Sequence, residues 1–285
     1  MGINNLPQRE ELLRRRRKAK RIKYAIIFGI SLFVLGIFSY ISHLPKIRIG
    51  DVSLAGGLLV TEKEVKEESL LFLRGKYFWL FPKDNAFLYK KEELGKHLID
   101  KFKRIDTLDI SLIGLNRIQV DITERKPIAI WCRLPEAVIS TTTVDIGFPK
   151  EDCYFMDSFS TIFAPSPDFS GTVYFKYYGL VSDENPIGKK YMASSTEFLA
   201  VNDFIEQVKS LGIKPTYLKS GDEGEFTLAL QGGGLIYFDT RKSLDLTFDN
   251  LKILLDSPEL ALKQGQLKVD YIDLRYGNKL FYKLK

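Results

Sequence analysis

The chain has 285 residues, of which 45% are hydrophobic and 27% are charged, so it is long and apolar enough to form more than one folded domain. Its formal net charge of +6 is distributed unevenly, because residues 1–23 carry +7 and the rest of the chain sums to −1. This near-neutral balance gives no indication of a nucleic-acid-binding surface in the large C-terminal part.

A charge step near the N-terminus predicts a membrane anchor. Residues 14–23 read RRRRKAKRIK, and residues 24–44 then read YAIIFGISLFVLGIFSYISHL, without Asp, Glu, Lys or Arg. A helix that rises about 1.5 Å per residue crosses a hydrocarbon core of roughly 30 Å in about 20 residues. We therefore predict a cytoplasmic basic tail over 1–23 and a single-pass transmembrane helix over 24–44. The remaining chain is expected outside the cytoplasm, because basic flanks stay inside.

This segment has two other interpretations. A cleaved signal peptide usually has an apolar region of about 7–15 residues and a small-residue cleavage site, whereas this run is longer and lacks an A-x-A pattern. A basic tail can also bind nucleic acid. A basic block directly against a membrane span more often sets topology and contacts anionic lipid. We therefore prefer a retained anchor in contact with membrane lipid and without nucleic acid.

The next part of the chain predicts a small α+β domain over 46–125. Residues 47–54 alternate as a short strand does. Thr61 and Glu64 have the spacing of a capping box that begins a helix, and an apolar stripe over 90–103 predicts a second helix. Two alternating segments complete the order strand–helix–helix–strand–strand, in which the helices cover one face of a three-stranded sheet. These segments are 105–113 and 117–125.

The apolar stretch YFWLFP lies at 77–82, between the two predicted helices. Such a stretch can contact the membrane interface, where aromatic residues concentrate. Core filling between two packed helices is the commoner use of large apolar side chains, and it is the interpretation that we prefer.

Cys132 and Cys153 are the two cysteines, and they flank a segment at 135–152 whose composition is typical of a loop. Outside the cytoplasm, a disulfide between them becomes plausible. If strands at 127–133 and 153–157 are neighbours, the disulfide closes a loop of about 20 residues, worth roughly 3 kcal/mol in the chain-entropy model. The alternative is a pair of small buried thiols.

The last part, over 126–285, predicts a mixed α/β domain with an antiparallel sheet. A second capping box at Ser194–Glu197 begins a helix. Another helix follows over 243–255, and a short helical segment runs from Ser257 to about Lys263. Three alternating segments separated by glycine-rich turns predict an antiparallel meander. They are 216–219, 225–230 and 235–239.

The chain ends LKVDYIDLRYGNKLFYKLK, and Gly277-Asn278 permits two structures there. They form either a two-residue hairpin turn or a bulge within one long strand. A long strand keeps Leu280 and Tyr282 in phase with Ile272. In both structures the chain ends in an edge strand whose lysines oppose nonspecific pairing.

The predicted order of elements after a single membrane span is similar to a POTRA domain, and three segments narrow the resemblance to the FtsQ/DivIB family of bacterial division proteins. ERKPIAIW at 124–131 resembles that family's junction between POTRA and β domains. CYFMDSFSTIF at 153–163 resembles a hairpin in which glycine usually stands at the position of Ser160. YIDLRY at 271–276 resembles the C-terminal strand. The resemblance extends over about 14–285.

The resemblance implies a non-enzymatic bitopic scaffold of the divisome, located at the division site during septum formation. The POTRA domain over 46–125 and the membrane helix would contact other divisome membrane proteins. The FtsQ-type β domain over 126–285 would bind FtsB/FtsL-like coiled-coil proteins through its C-terminal edge strand. Carried over by motif position, the partner-binding residues are Arg275, Tyr276, Asn278, Leu280 and Tyr282.

Arg275 has a second interpretation. Asp270 and Asp273 lie close to it in the sequence, and alternating acids on a strand often serve only as ion-pair partners. A purely structural role for Arg275 therefore stays open.

The sequence contains no pattern that indicates catalysis. It has two histidines, its cysteines lack the C-x-x-C spacing of a zinc site, and it has no P-loop, nucleophile elbow or H-E-x-x-H motif. We therefore expect no enzyme activity, cofactor or metal. Two other functions stay open: a POTRA-containing envelope or secretion assembly factor with a different client, and an envelope hydrolase with a hidden site.

Overall fold

The computed structural model describes residues 6–133, 152–169, 173–179, 181, 184–257, 260, 267–277 and 279–285, with side chains from residue 14 onward. The chain divides into two compact units, Met1–Glu124 and Arg125–Lys285. Most of the predicted loop at 135–152, and most of the predicted helical segment from Ser257 to Lys263, lie outside the described residues.

The first unit begins with helix α1 (Leu6–Ser42). Over Arg14–Ser42 this helix is long and apolar enough to cross a membrane, and among the described residues it is the one helix with that property. It starts well before the predicted span, because Arg and Lys are good helix formers and continue the helix through the basic block. It ends two residues before Leu44, because the residue before Pro45 disfavours helical backbone. Pro45–Ile47 then form a short 3-10 turn.

The rest of the first unit has the order strand–helix–helix–strand–strand, with a small hairpin inserted between the helices. Strand β1 (Asp51–Ala55) pairs parallel with β5 (Arg117–Glu124), and β5 pairs antiparallel with β4 (Ile105–Ile113). The sheet order is therefore β1-β5-β4 within the described residues. The helices and the inserted hairpin are α2 (Glu62–Phe72), β2 (Lys76–Tyr77), β3 (Phe81–Pro82) and α3 (Lys91–Lys101).

Both helices contribute to one apolar core with the sheet. Val65 on α2 and Leu98 on α3 are fully buried together with Ile118 on β5. The start of α2 is fixed by the predicted capping box, since Thr61 Oγ1 accepts a hydrogen bond from the Glu64 N–H at 3.4 Å and the Glu64 carboxylate accepts one from the Thr61 N–H at 3.1 Å. The capping-box prediction is confirmed.

The prediction that YFWLFP fills the core is wrong for its central residues. Tyr77 pairs with Phe81 in the β2–β3 hairpin, which leaves Phe78 and Trp79 at its tip. Their side chains are 90% and 91% exposed. These two aromatic rings are therefore outside the core of the first unit.

The second unit contains a sheet that has nine strands within the described residues, ordered β14-β13-β12-β11-β10-β9-β6-β7-β8. The elements in chain order are β6 (Ala129–Cys132), β7 (Cys153–Met156), β8 (Ile162–Pro165), β9 (Phe175–Tyr178), α4 (Ser195–Ser210), β10 (Pro215–Ser220), β11 (Glu225–Leu230), β12 (Leu235–Asp239), α5 (Leu244–Leu255), β13 (Val269–Tyr276) and β14 (Lys279–Leu284). Strands β10, β11 and β12 form the predicted antiparallel meander.

The sheet as a whole is mixed, so the prediction of an antiparallel sheet is wrong. Strand β9 is parallel to both β10 and β6, and β12 is parallel to β13. Helices α4 and α5 explain two of these pairs, because each connects consecutive strands as a crossover and returns the chain in the same direction. The predicted positions of both helices are correct, whereas the parallel strand pairs that these crossovers produce were not predicted.

Helices α4 and α5 pack on the apolar face of this sheet. Phe204 on α4 contacts Phe238 on β12 with ring centroids 4.7 Å apart, and Leu251 on α5 is fully buried in the same core. The predicted capping box of α4 is half formed. Ser194 Oγ accepts from the Glu197 N–H, while the Glu197 carboxylate accepts from the Thr240 hydroxyl.

Candidate partner-binding edge

The C-terminal segment forms a hairpin rather than one long strand. Strands β13 and β14 pair antiparallel, with Ile272 opposite Tyr282 and Tyr276 opposite Lys279. The turn residue Gly277 has a φ of 69°, which favours glycine, and its carbonyl accepts a hydrogen bond of 2.9 Å from Asn250 Nδ2 on α5. Asn278, the other predicted turn residue, lies outside the described residues.

Strand β14 lies at one end of the sheet, and within the described residues it is paired with β13 alone. Its other main-chain edge therefore has N–H and C=O groups oriented away from the sheet, as edge strands do. Leu280 is half-buried against the core of the unit, while Phe281 and Tyr282 are 49% and 39% exposed. Lys283 forms an ion pair of 2.8 Å with Asp270.

Arg275 lies next to this edge and is held on both sides. Its Nε and Nη2 donate to the two carboxylate oxygens of Asp273, at 2.9 and 2.6 Å. Its Nη1 donates to Glu225 Oε2 on β11 at 2.7 Å. The guanidinium also lies over the rings of Tyr237 on β12 and Tyr276, 5.2 and 5.8 Å from their centroids. Arg275 thus links β13 to two further strands.

The electrostatics of this group favour the ionised forms. Burial disfavours the charge on Asp273, but the hydrogen bonds from Arg275 outweigh it, so the pKa of that carboxyl lies below its ordinary value. The same hydrogen bond raises the pKa of Arg275. Its ion pairs are with Asp273 and Glu225, whereas Asp270 pairs with Lys283. Of Asp270 and Asp273, the two acids close to Arg275 in the sequence, Asp273 is therefore its ion-pair partner.

Phe281 is a candidate contact residue that sequence reasoning missed. It lies opposite Asp273 on β13, and its ring meets the ring of Tyr276 nearly edge-on at 5.4 Å. The sequence contains a signal for this residue. Phe281 lies two positions from both Lys279 and Lys283, so the three side chains share one face of β14, and Phe281 is the aromatic residue between two lysines. An exposed aromatic residue at such a position is typical of an interaction site.

Cys132 and Cys153 form a disulfide. They are directly opposite each other on the neighbouring strands β6 and β7. Cys132 is fully buried, together with Ile130 and Tyr178. The disulfide thus joins the two strands at the point where each meets the segment 134–151.

An ion pair connects two of the segments that carry the family resemblance. Arg125, in ERKPIAIW, donates from Nη1 to Asp157 Oδ2 at 2.5 Å. The other oxygen of this buried carboxylate accepts from the N–H groups of Phe159 and Thr161, at 2.9 and 2.8 Å. Ser160 has a φ of 61°, so it adopts the left-handed conformation in which glycine would be unstrained. Its hydroxyl donates to the Met192 carbonyl at 3.0 Å.

The described residues contain no cluster of three or more His, Cys, Asp or Glu side chains that could hold a metal ion. The geometry defines a mixed α/β protein with an N-terminal helix apolar enough to span a membrane and, within the described residues, a sheet that ends in the C-terminal strand β14. No family model matches the chain, and a search of curated proteins finds no match either.

Proposed function

We propose that this protein is a non-enzymatic bitopic scaffold of the bacterial division machinery, similar to FtsQ/DivIB proteins. In this proposal the N-terminus is cytoplasmic, and α1 anchors the two units outside the cytoplasm at the division site. Strand β14 receives a strand from an FtsB-like protein, which is itself paired with an FtsL-like coiled coil. The observation that carries the proposal is the position of β14 at the sheet edge, directly beside the YIDLRY strand.

The N-terminal charge distribution supports the proposed topology. The side chains of residues 14–23 are exposed and include eight Arg and Lys residues, and the uncharged run follows within the same helix. A positive flank of this kind remains in the cytoplasm. Anchoring also supports the proposed role, because it raises the effective concentration of the outer units for other membrane-anchored proteins.

The strand–helix–helix–strand–strand order of the first unit supports its assignment as a POTRA-type domain. The Arg125–Asp157 ion pair supports the FtsQ/DivIB resemblance, because it gives a joint structural role to residues from two separate motifs. In the proposal, this first unit and α1 contact other divisome membrane proteins.

Strand addition suits the chemistry of the β14 edge. Main-chain groups give affinity and register in this mode, and side chains near the edge give specificity. Phe281 and Tyr276 offer aromatic surface, and Lys279 and Lys283 oppose pairing with arbitrary strands. Arg275 acts as a positioning residue, since its donors are already directed to Asp273 and Glu225.

The first experiment is co-purification of the full-length protein with the membrane-anchored coiled-coil division proteins of its own bacterium. We expect deletion of residues 277–285 to abolish capture. Because Leu280 packs against the core, a point variant is the sharper test. Phe281→Asp should strongly reduce capture. Phe159→Asp is its matched control, since Phe159 is also 49% exposed but lies in the turn between β7 and β8, at the other end of the sheet.

Equal capture by Phe281→Asp, Phe159→Asp and the unaltered protein would contradict the edge-binding proposal. A different outcome would favour an envelope assembly factor instead. In it, the unaltered protein captures no coiled-coil division protein but captures a client of another kind, and Phe281→Asp loses that client.

A further inference from the structure

The β2–β3 hairpin carries exposed aromatic residues that neither the core nor the proposed partner edge uses. Phe78 and Trp79 at its tip are 90% and 91% exposed, and Leu80 beside them is 45% exposed. Large aromatic residues exposed to this degree and clustered together typically mark an interaction site.

The backbone at this tip is strained. Phe78 and Trp79 have φ values of 47° and 62°, in the left-handed region that bulky residues rarely adopt. They are the two central residues of a turn that the Leu80 N–H closes onto the Tyr77 carbonyl at 3.0 Å. Two central residues that both have positive φ are normally Asn and Gly. Backbone strain of this kind is concentrated at functional sites, so the strained tip supports a functional use of these aromatic side chains.

The hairpin is fixed against the C-terminal end of α1, within the same unit. Ser39 Oγ donates a hydrogen bond of 2.8 Å to the Leu80 carbonyl. The buried side chain of Asn85, just after the hairpin, donates to the Ser42 carbonyl and hydroxyl oxygens, both at 3.1 Å. These bonds give the hairpin a defined height along the helix.

That height lies inside the uncharged run. Ser39 precedes the last residue of α1 by three positions, which is about 4.5 Å along the helix axis. Leu80 is therefore level with residues that lie within 24–44. Any bilayer that α1 crosses comes close to the hairpin tip.

An apolar cleft separates α1 from the segment around the hairpin. Its volume is about 500 Å³, and its lining is almost entirely apolar. The facing side chains include Leu35, Phe38 and Ile41 on α1 and Phe81, Phe87 and Leu88 opposite them. The cleft opens beside a helix whose own side chains are exposed, so a lipid acyl chain is the occupant that suits both its composition and its location.

Basic residues flank the aromatic tip. Lys76 is exposed, and Lys83 holds its ammonium 5.7 Å from the centroid of the Tyr77 ring. Lysines beside an apolar insertion can extend their methylene stems along the apolar surface and place their ammonium groups among lipid phosphates.

We propose that the β2–β3 hairpin is a second membrane contact, which inserts Phe78 and Trp79 into the leaflet at the C-terminal end of α1. The occupant of this surface is lipid: acyl chains surround the aromatic tip and fill the cleft, and headgroup phosphates meet the flanking lysines. The contact holds the first unit at a fixed height and orientation on the bilayer. It is independent of the proposed partner edge, which lies in the other unit.

The chain has two tryptophans, Trp79 and Trp131, which permit a direct test. The full-length Trp131→Phe variant is reconstituted into nanodiscs of phospholipids that carry bromine atoms near the headgroup end or near the terminus of their acyl chains. Trp79 should lose most of its fluorescence, and the loss should be greater with bromines near the headgroup end. The control is Trp79→Phe, whose remaining Trp131 is 1% exposed and should keep its emission.

Trp131 donates a hydrogen bond to the Gly179 carbonyl, so its replacement can impair folding. In that case the difference in emission between the unaltered protein and Trp79→Phe gives the same quantity. Trp79 emission that is unquenched in both lipids, at a wavelength typical of water exposure, would overturn the proposal and assign the aromatic tip to a protein partner.

Discussion

Arg275 and Glu225 are 50 residues apart in the sequence, and their side chains form an ion pair of 2.7 Å across strand β12. Within β13, the same guanidinium donates two hydrogen bonds to Asp273. Through Glu225 it connects β13, which is next to the edge strand, to β11. The arginine of YIDLRY thus orders the sheet behind the partner surface.

The first prediction concerns this guanidinium. Arg275→Lys should reduce stability, because one ammonium cannot reproduce the fork that reaches Asp273 and Glu225 together. Arg275→Ala should cost more, roughly 1–3 kcal/mol, since it leaves the buried Asp273 carboxylate without its partner. Denaturant unfolding of the full chain in detergent measures both changes. Lys219→Ala, on β10, is a control for loss of an exposed positive charge. An unfolding curve for Arg275→Ala that matches this control would contradict the positioning role.

The second prediction is acid sensitivity of the second unit. Hydrogen bonds from Arg241 hold the pKa of Asp239 below its ordinary value of 3.8. Burial raises the pKa of Asp273, but the hydrogen bonds from Arg275 outweigh this effect and keep that pKa below its ordinary value as well. A carboxyl with a depressed folded-state pKa contributes stability that is full above its unfolded pKa and is lost as pH falls through its folded pKa. Stability should therefore decline below about pH 4.

The matching variant is the double substitution Asp239→Asn with Asp273→Asn. It should be less stable than the unaltered protein at neutral pH and should lose less stability between neutral pH and about pH 3. Unfolding measured across this range checks both statements. An acid response of the double variant as steep as that of the unaltered protein would show that other carboxyls carry the effect.

The third prediction concerns Glu124 in the first unit. Its Oε1 accepts hydrogen bonds from three consecutive N–H groups, those of Leu58, Leu59 and Val60, at 2.8, 2.8 and 2.9 Å. Burial raises its pKa, yet these bonds prevail and the pKa lies below the ordinary value. Glu124→Ala should cost roughly 1–3 kcal/mol and speed amide exchange at 58–60.

Glu124→Gln should cost less, because an amide oxygen still accepts hydrogen bonds but carries no charge. Glu62→Ala on the exposed start of α2 is the control. Unchanged amide exchange at 58–60 in Glu124→Ala would show that the backbone of this turn is held by other contacts.

The fourth prediction concerns the disulfide. Replacing both Cys132 and Cys153 by Ala should destabilise the second unit by roughly 3 kcal/mol, mainly through the unfolded state. Reductant should lower the melting temperature of the unaltered protein and leave that of the double variant unchanged. Mass spectrometry of exported protein without reductant checks the bond itself, and two free thiols there would contradict it.

Local signals in the sequence were sufficient for much of the fold. Thr61 and Glu64 predicted the start of α2, because a capping box involves residues only three positions apart. The glycine-rich turns likewise predicted the meander of β10, β11 and β12. Strand β9 was not predicted, and the parallel direction of β13 was missed because it depends on how the crossover helix α5 returns the chain.

The features that the sequence did not predict depend mainly on contacts between residues far apart in the chain. Nothing near Arg275 in the sequence points to Glu225, and nothing near Glu124 points to residues 58–60. The tip of YFWLFP was assigned to the core because its composition is apolar, and the left-handed backbone at Phe78 and Trp79 has no signal in the sequence. Hydrophobicity alone does not distinguish a core segment from a membrane contact.

The most direct test of the proposed strand addition is amide hydrogen exchange in β14, in the full-length protein with and without its captured coiled-coil partner. Antiparallel pairing directs alternate N–H groups of an edge strand away from its sheet, and an added strand protects those groups. We expect exchange to slow on binding at alternate residues within Lys279–Leu284. Capture of the partner with unchanged exchange along this strand would contradict the account.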